Sequence, residues 1–170
     1  MKKSFFTLML IIASTLVINA QSLTGKNWCT VINDEDGEPI TMVMKFESNG
    51  DCEVIMAAEQ QLKEDGVPYA IAFGVNIPGN YTYNDKNLDV KLNKGNATVK
   101  VDYEFKGMDA KTKELMDKQV RPELDGMKGE IKKMVLDGMP SLENMKVVSL
   151  DSKKLVVTLS VGAEVPFYAK

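Results

Sequence analysis

The fold of this chain is decided by the stretch at residues 80–105, NYTYNDKNLDVKLNKGNATVKVDYEF. Apolar or aromatic residues alternate with polar ones in three runs, separated by clusters of Asn, Asp, Lys and Gly. Strict alternation places every second side chain on the same face of a β-strand. The clearest run, residues 97–105, keeps it for nine residues. The stretch therefore predicts antiparallel strands with one buried face and one wet face.

The sequence on both sides of this stretch continues the strand pattern. Further strands are predicted at residues 28–32, 40–46, 69–77, 145–150 and 155–159. The segment 59–66 is predicted as a solvated loop or a single helical turn, and Pro78-Gly79 is predicted to end its strand. Short strands that hairpins can link predict a meander, and closing the sheet into a barrel is a common way to hide its edges.

Two Gly residues predict the register of two hairpins. A three-residue loop, Ser48-Asn49-Gly50, with Gly50 in a left-handed bulge conformation, sets Phe46 opposite Cys52. This register keeps the apolar side chains of both strands on one face, whereas a two-residue turn would not. The same logic at Gly162 brings together Leu155, Val157, Leu159, Ala163, Val165 and Phe167.

The apolar spacing changes to a helical period after the third run. Residues 110–136 are predicted as a helix, broken near Arg121 because Pro122 follows, with Gly138 and Pro140 as stop signals. The predicted fold class is mainly β: an antiparallel meander closing into a barrel of about 8–10 strands. The helix is an insertion before the last three strands.

The first 20 residues have the order of parts of a secretory signal peptide. Lys2 and Lys3 precede an apolar run at residues 5–17, and Ala20 supplies a small residue at the end. The run is shorter than the roughly 20 residues of a membrane span. Residues 1–20 are therefore predicted as a signal peptide and residues 21–170 as one exported domain, periplasmic or secreted, with no stable membrane insertion after cleavage.

Four further motifs are LTGKNW at residues 23–28, the hairpin at 46–50, GNYTY at 79–83 leading into 88–90, and the closing hairpin at 155–167. Together they resemble the motifs of the small secreted lipocalin-like (calycin) domains of Bacteroidetes. The resemblance implies a β-barrel over the mature chain. The chain departs from true lipocalins in the Gly25–Trp28 spacing and in having three strands after the helix, so the resemblance implies no known ligand.

Composition excludes several classes of function. The formal net charge is −3, or −5 without the two Lys of the leader, which argues against a nucleic-acid partner. The chain has no His, which excludes His-based triads and His-containing metal sites. The predicted interior is apolar or tyrosine and contains no acid pair for general acid–base catalysis. The protein is therefore predicted not to be an enzyme and to need no cofactor.

Two further features of the sequence are weaker candidates for sites. The acidic run at residues 34–38 could attract Ca²⁺, but it lacks the spacing of a calcium loop and is better explained as an Asp-Gly turn, so no metal is predicted. Cys29 adjoins Trp28 and is predicted to face outward, whereas Cys52 is predicted to face inward. Opposite faces favour free or differently paired thiols over a Cys29–Cys52 disulfide.

Aromatic and Met side chains supply the candidate ligand-binding residues. A cavity in the barrel is predicted to be lined by Trp28, Met44, Tyr81, Tyr83, Tyr103, Phe105 and Phe167. Plain core packing of the same side chains is the competing interpretation. The leading functional hypothesis is an exported binding protein for a small hydrophobic or amphipathic ligand, with the helix as lid or wall. The alternative is a protein-interaction module, such as an inhibitor or envelope accessory factor, with a solid core.

Overall fold

The computed structural model describes residues 22–33, 37–64, 67–105 and 108–170. The predicted leader and the acidic residues at 34–36 lie outside these ranges. The described elements, in chain order, are β1 Asn27–Asn33, β2 Pro39–Phe46, β3 Asp51–Glu64, β4 Val67–Asn84, β5 Asn87–Leu92, a 3₁₀ turn Lys94–Asn96, β6 Thr98–Phe105, α1 Ala110–Gly138, β7 Met145–Leu150, β8 Lys154–Thr158 and β9 Glu164–Ala169.

Eight of these strands close into an antiparallel barrel. The order around the ring is β3-β2-β1-β9-β8-β7-β5-β4, and β4 pairs again with β3. The remaining strand, β6, pairs with β4. The mainly β class, the barrel and the helix inserted before the last three strands are confirmed. Within the described ranges, no helix combines the length and the apolar character needed to cross a membrane.

The two predicted hairpin registers are confirmed. Phe46 lies opposite Cys52 in the β2–β3 pair, and Leu155 lies opposite Phe167 in the β8–β9 pair. Both loops use a Gly with positive φ, 91° at Gly50 and 85° at Gly162. Other residues adopt this conformation at a cost, so the two Gly residues fix the loop length and hence the register.

The predicted ends of β3 and β4 were wrong. β3 continues through the expected loop to Glu64, because its backbone pairs with residues 67–72 of β4. β4 likewise runs on through Pro78-Gly79, where its neighbour on one edge changes from β6 to β5. The Pro78 carbonyl accepts a hydrogen bond from Asn93 N at 2.8 Å. A Cβ on Gly79 would lie 2.5 Å from the Lys91 carbonyl oxygen, so the close approach of β5 requires glycine here.

The barrel closes at two short seams. Asn27 and Lys170 exchange backbone hydrogen bonds of 3.4 and 2.9 Å, and β1–β9 pairing stops after Cys29–Tyr168. The next hydrogen-bonded position would fall on Pro166, which has no N–H to donate. The second seam, between β5 and β7, has two paired positions, Asn87–Lys146 and Leu88–Met145.

The helix α1 is continuous, and the predicted break near Arg121 was wrong. Pro122 cannot bond the Lys118 carbonyl, but both residues are exposed, so water can satisfy that oxygen. The side chain of Asp109 caps the helix by accepting from Lys111 N and Thr112 N at 3.0 and 3.1 Å. The predicted stop at Gly138 is confirmed.

The helix packs beside β6 at the end of the barrel where β5 finishes. Its buried side chains are Leu124, Ile131 and Val135. Lys132 Nζ donates to the carbonyls of Gly95 and Ala97 at 3.2 and 2.7 Å. The helix is therefore a wall at this end of the molecule.

The inside of the barrel is filled by its own side chains. The largest side chains under 2% exposed are Trp28, Phe46, Phe167, Met42, Met44, Ile77, Leu88, Met145, Leu155, Val54, Val75 and Val90. Cys52 belongs to this core, and Cys29 does not. Both thiols are free. Cys29, which was expected to face outward, is nevertheless buried, at a position that pairs with Val43 of β2 and Tyr168 of β9.

Candidate binding cleft at the barrel mouth

An open cleft of about 550 Å³ lies at the end of the barrel opposite to the helix. Its walls come from the segment before β1, the β2–β3 turn, the end of β4 and the end of β7. The lining residues are Ser22, Leu23, Thr24, Ser48, Gly50, Tyr81, Tyr83, Asp85, Val147, Val148, Ser149 and Leu150. We call the cleft that these residues line the mouth cleft.

Leu23 closes the barrel beneath the mouth cleft. Its side chain is 2% exposed and belongs to the core, and its carbonyl accepts a hydrogen bond of 2.8 Å from Trp28 Nε1. A buried indole N–H needs such a partner. The hydroxyls of Ser22 and Thr24, which contact each other, therefore lie beside an apolar floor.

An irregularity in β7 forms one wall of the cleft. The pairing of β7 with β8 shifts register between Val147 and Ser149, so that Val148 is an extra residue in the strand. In a regular strand, successive side chains point to opposite faces. The bulge is what allows four consecutive residues, 147–150, to line the same cleft. The Val147 N–H bonds the Lys86 carbonyl at 2.8 Å, which holds this wall against the β4–β5 turn.

The two Tyr residues of the cleft differ in how their hydroxyls are used. Tyr81 donates to the Glu47 carbonyl at 2.9 Å, and its ring packs edge-on against Phe46 at a centroid distance of 4.7 Å. Burial raises the pKa of Tyr81, with smaller contributions from Cys52 and Glu47. Burial also raises the pKa of Tyr83, and the negative charge of Asp85 adds to the effect. No hydrogen bond among the described residues uses the Tyr83 hydroxyl.

The lining of the mouth cleft is amphipathic. Leucine, valine and tyrosine side chains provide apolar surface, four serine and threonine hydroxyls provide hydrogen bonding, and Asp85 is its one charged side chain. Cavities that bind small molecules combine these features. Among the residues that the structure describes, no group of three or more His, Cys, Asp or Glu side chains could hold a metal ion.

The seven candidate binding residues predicted from the sequence lie in three different parts of the structure. Trp28, Met44 and Phe167 are at most 1% exposed and form part of the filled core. Tyr81 and Tyr83 line the mouth cleft together.

Tyr103 and Phe105 lie in β6, outside the cleft lining. The Tyr103 hydroxyl contacts the Asp117 carboxylate, and the Arg121 guanidinium lies 5.5 Å from the Tyr103 ring centroid. The Phe105 backbone pairs with Tyr69, and its side chain lies outside the described part of the structure.

Several lining residues were missed by sequence analysis. Asp85 and Ser48 lie in turns between strands, where the sequence has no alternating pattern that could identify them. Val148 and Ser149 could have been found, because Val147-Val148 places two apolar residues in succession and breaks the alternation of β7. Such a break is the sequence signal of a bulge.

Comparison with known proteins gives no further guidance. No protein-family model, curated protein or solved structure matches this chain.

Proposed function

We propose that this protein is an exported, non-enzymatic binding protein that holds a small amphipathic ligand in the mouth cleft. The observation that carries the proposal is the cleft itself, a volume of about 550 Å³ in which an apolar floor and wall adjoin hydroxyl groups and the Asp85 carboxylate. Its volume lies within the range of about 300–1,000 Å³ that is usual for small-molecule sites.

The mouth is a better place for a ligand than the interior. A ligand inside the barrel would have to displace side chains such as Met44 and Phe167, which are fully buried in the core. Removing such packing costs several kcal/mol per side chain, roughly 2–5. The mouth cleft is already open, so a ligand could enter without that cost.

The filled core also supports a second candidate function. A barrel whose interior is occupied by its own side chains suits a protein-interaction module, which would act through its outer surface. The two functions differ in one observable, which is whether a small amphiphile binds to the purified protein at the cleft.

The test uses decyl maltoside, a neutral amphiphile, added below its micelle concentration to ¹⁵N-labelled protein. We expect amide shifts confined to the mouth cleft, including Tyr83 and Ser149. Val148→Asp places a charge on the apolar wall, where Val148 is 53% exposed, and should reduce binding at least about tenfold.

The matched control is Val161→Asp. Val161 is 80% exposed in the β8–β9 hairpin and does not line the cleft. This variant should bind like the wild type. Equal loss in both variants, or no binding by the wild-type protein, would refute the ligand-binding proposal and favour the interaction module.

A further inference from the structure

The described lining of the mouth cleft carries negative charge only. Among the described residues that line the cleft, Asp85 is the one charged residue, and none of them is Lys or Arg. It lies in the turn between β4 and β5 and is exposed. None of the ion pairs among the described residues includes Asp85. The cleft therefore presents a carboxylate without a counter-ion.

Tyr83 places an aromatic ring and an unengaged hydroxyl beside this carboxylate. Both residues line the cleft, and the pKa of the Tyr83 hydroxyl is raised mainly by burial, with a further contribution from the charge of Asp85. Aromatic rings attract cations through their negative faces, and a nearby carboxylate adds to that attraction. The apolar residues Leu23, Val148 and Leu150 line the same space.

We propose that the mouth cleft selects amphiphiles whose head group is a positively charged ammonium, held between Asp85 and Tyr83. This inference rests on the proposed function and adds the chemical class of the ligand. The apolar tail would cover Leu23, Val148 and Leu150. A carboxylate or phosphate head group would meet a like charge, with no Lys or Arg in the lining to offset it.

Three amphiphiles with the same decyl chain test the proposal: decyltrimethylammonium, decyl maltoside and decyl sulfate, each below its micelle concentration. Affinities are measured by amide shift titration on the full chain. The ammonium compound should bind about fivefold more tightly than the maltoside, and the sulfate should bind most weakly. Asp85→Asn should abolish the preference for the ammonium compound over decyl maltoside.

Asp102→Asn is the control for total charge. Asp102 is exposed in β6 and does not line the cleft, so this variant changes the net charge of −3 by the same amount as Asp85→Asn. It should keep the preference for the ammonium compound.

The outcomes distinguish a failure of the ammonium inference from a failure of the proposed ligand-binding function. If decyl maltoside binds but decyl sulfate binds as tightly as the ammonium compound, the inference is overturned and the proposed function stands. A loss of preference in Asp102→Asn as large as in Asp85→Asn also overturns the inference. If none of the three compounds binds the wild-type protein, both proposals fail.

Discussion

Trp28 Nε1 donates a hydrogen bond of 2.8 Å to the carbonyl oxygen of Leu23, and both side chains are buried. This bond ties the segment before β1 to the centre of the core. Leu23 is both a core residue and part of the floor of the mouth cleft. A change at Leu23 should therefore affect the stability of the barrel and the shape of the cleft together.

Leu23→Ala is expected to destabilise the protein by about 2–4 kcal/mol, because it removes a buried side chain and leaves a void in the core. Equilibrium unfolding in urea, followed by the fluorescence of this single Trp, measures the effect. Leu115→Ala, on an exposed part of the helix, is the control and should change the free energy of unfolding by less than about 0.5 kcal/mol. Similar losses in both variants would contradict the role of Leu23.

Gly50→Ala tests the hairpin that sets the β2–β3 register. Gly50 has a φ of 91°, so a side chain there should cost about 1 kcal/mol or more in the free energy of unfolding. Gly126→Ala is the matched substitution in the helix, where the added Cβ would meet no atom within 4 Å other than the adjacent backbone of the helix itself. It should stabilise the protein by about 0.5–1 kcal/mol. Thermal unfolding of the two variants should therefore shift in opposite directions.

Pro122→Ala restores a backbone N–H to the middle of α1. The Lys118 carbonyl would then regain its helical partner, and we expect a stabilisation of about 1–3 kcal/mol. Thermal unfolding measured by circular dichroism checks this. A lower unfolding temperature would show that the ring of Pro122 makes a packing contribution that its exposed position does not suggest.

The contribution of Glu53 to the stability of the protein should decrease at acid pH. Its carboxylate accepts hydrogen bonds from Lys45 at 2.9 Å and Asn76 at 2.5 Å, and the bond from Lys45 is the main reason why the pKa of Glu53 is lowered. A lowered pKa means that the contribution is fully present above the ordinary carboxyl pKa of 4.5 and is lost as the pH falls through the lowered pKa of the folded state.

Comparison of Glu53→Gln with the wild type measures this contribution. The variant should be about 0.5 kcal/mol less stable at pH 7, and the difference should be smaller at pH 3. Glu143→Gln, an exposed residue outside this cluster, should match the wild type at both pH values. A difference that persists unchanged at acid pH would rule out ionisation of Glu53 as its cause.

Burial raises the pKa of the Cys52 thiol to about 11, and the charge of Asp51 adds to the shift. Since the thiolate is the reactive form, Cys52 should be inert near pH 8 while the protein is folded. Cys29→Ser leaves Cys52 as the one thiol. An aromatic disulfide reagent should modify this variant only after denaturant is added, and rapid reaction of the folded protein would contradict the burial.

Those parts of the fold that depend on nearby residues could be predicted from the sequence. The registers at Gly50 and Gly162 follow from a local loop conformation and from the alternation on either side of it. The ends of β3 and β4 could not be predicted in the same way. Their extra length depends on backbone pairing between distant segments, which a polar stretch such as residues 59–64 supports without any alternation.

The site was less predictable than the fold for the same physical reason. Alternation identifies which side chains face inward, and it therefore found core residues such as Met44 together with cleft residues such as Tyr83. It cannot show which inward positions are filled and which open onto solvent. That difference arises from the bulge at Val148 and from turns that approach each other only in the folded barrel.

The most direct test of where the ligand binds is a set of intermolecular nuclear Overhauser effects between decyltrimethylammonium and the protein. The account predicts contacts from the decyl chain to Leu23, Val148 and Leu150, and from the ammonium methyl groups to Tyr83. Contacts to Met44 and Phe167, deep in the core, would contradict it and would show that the ligand occupies the barrel interior.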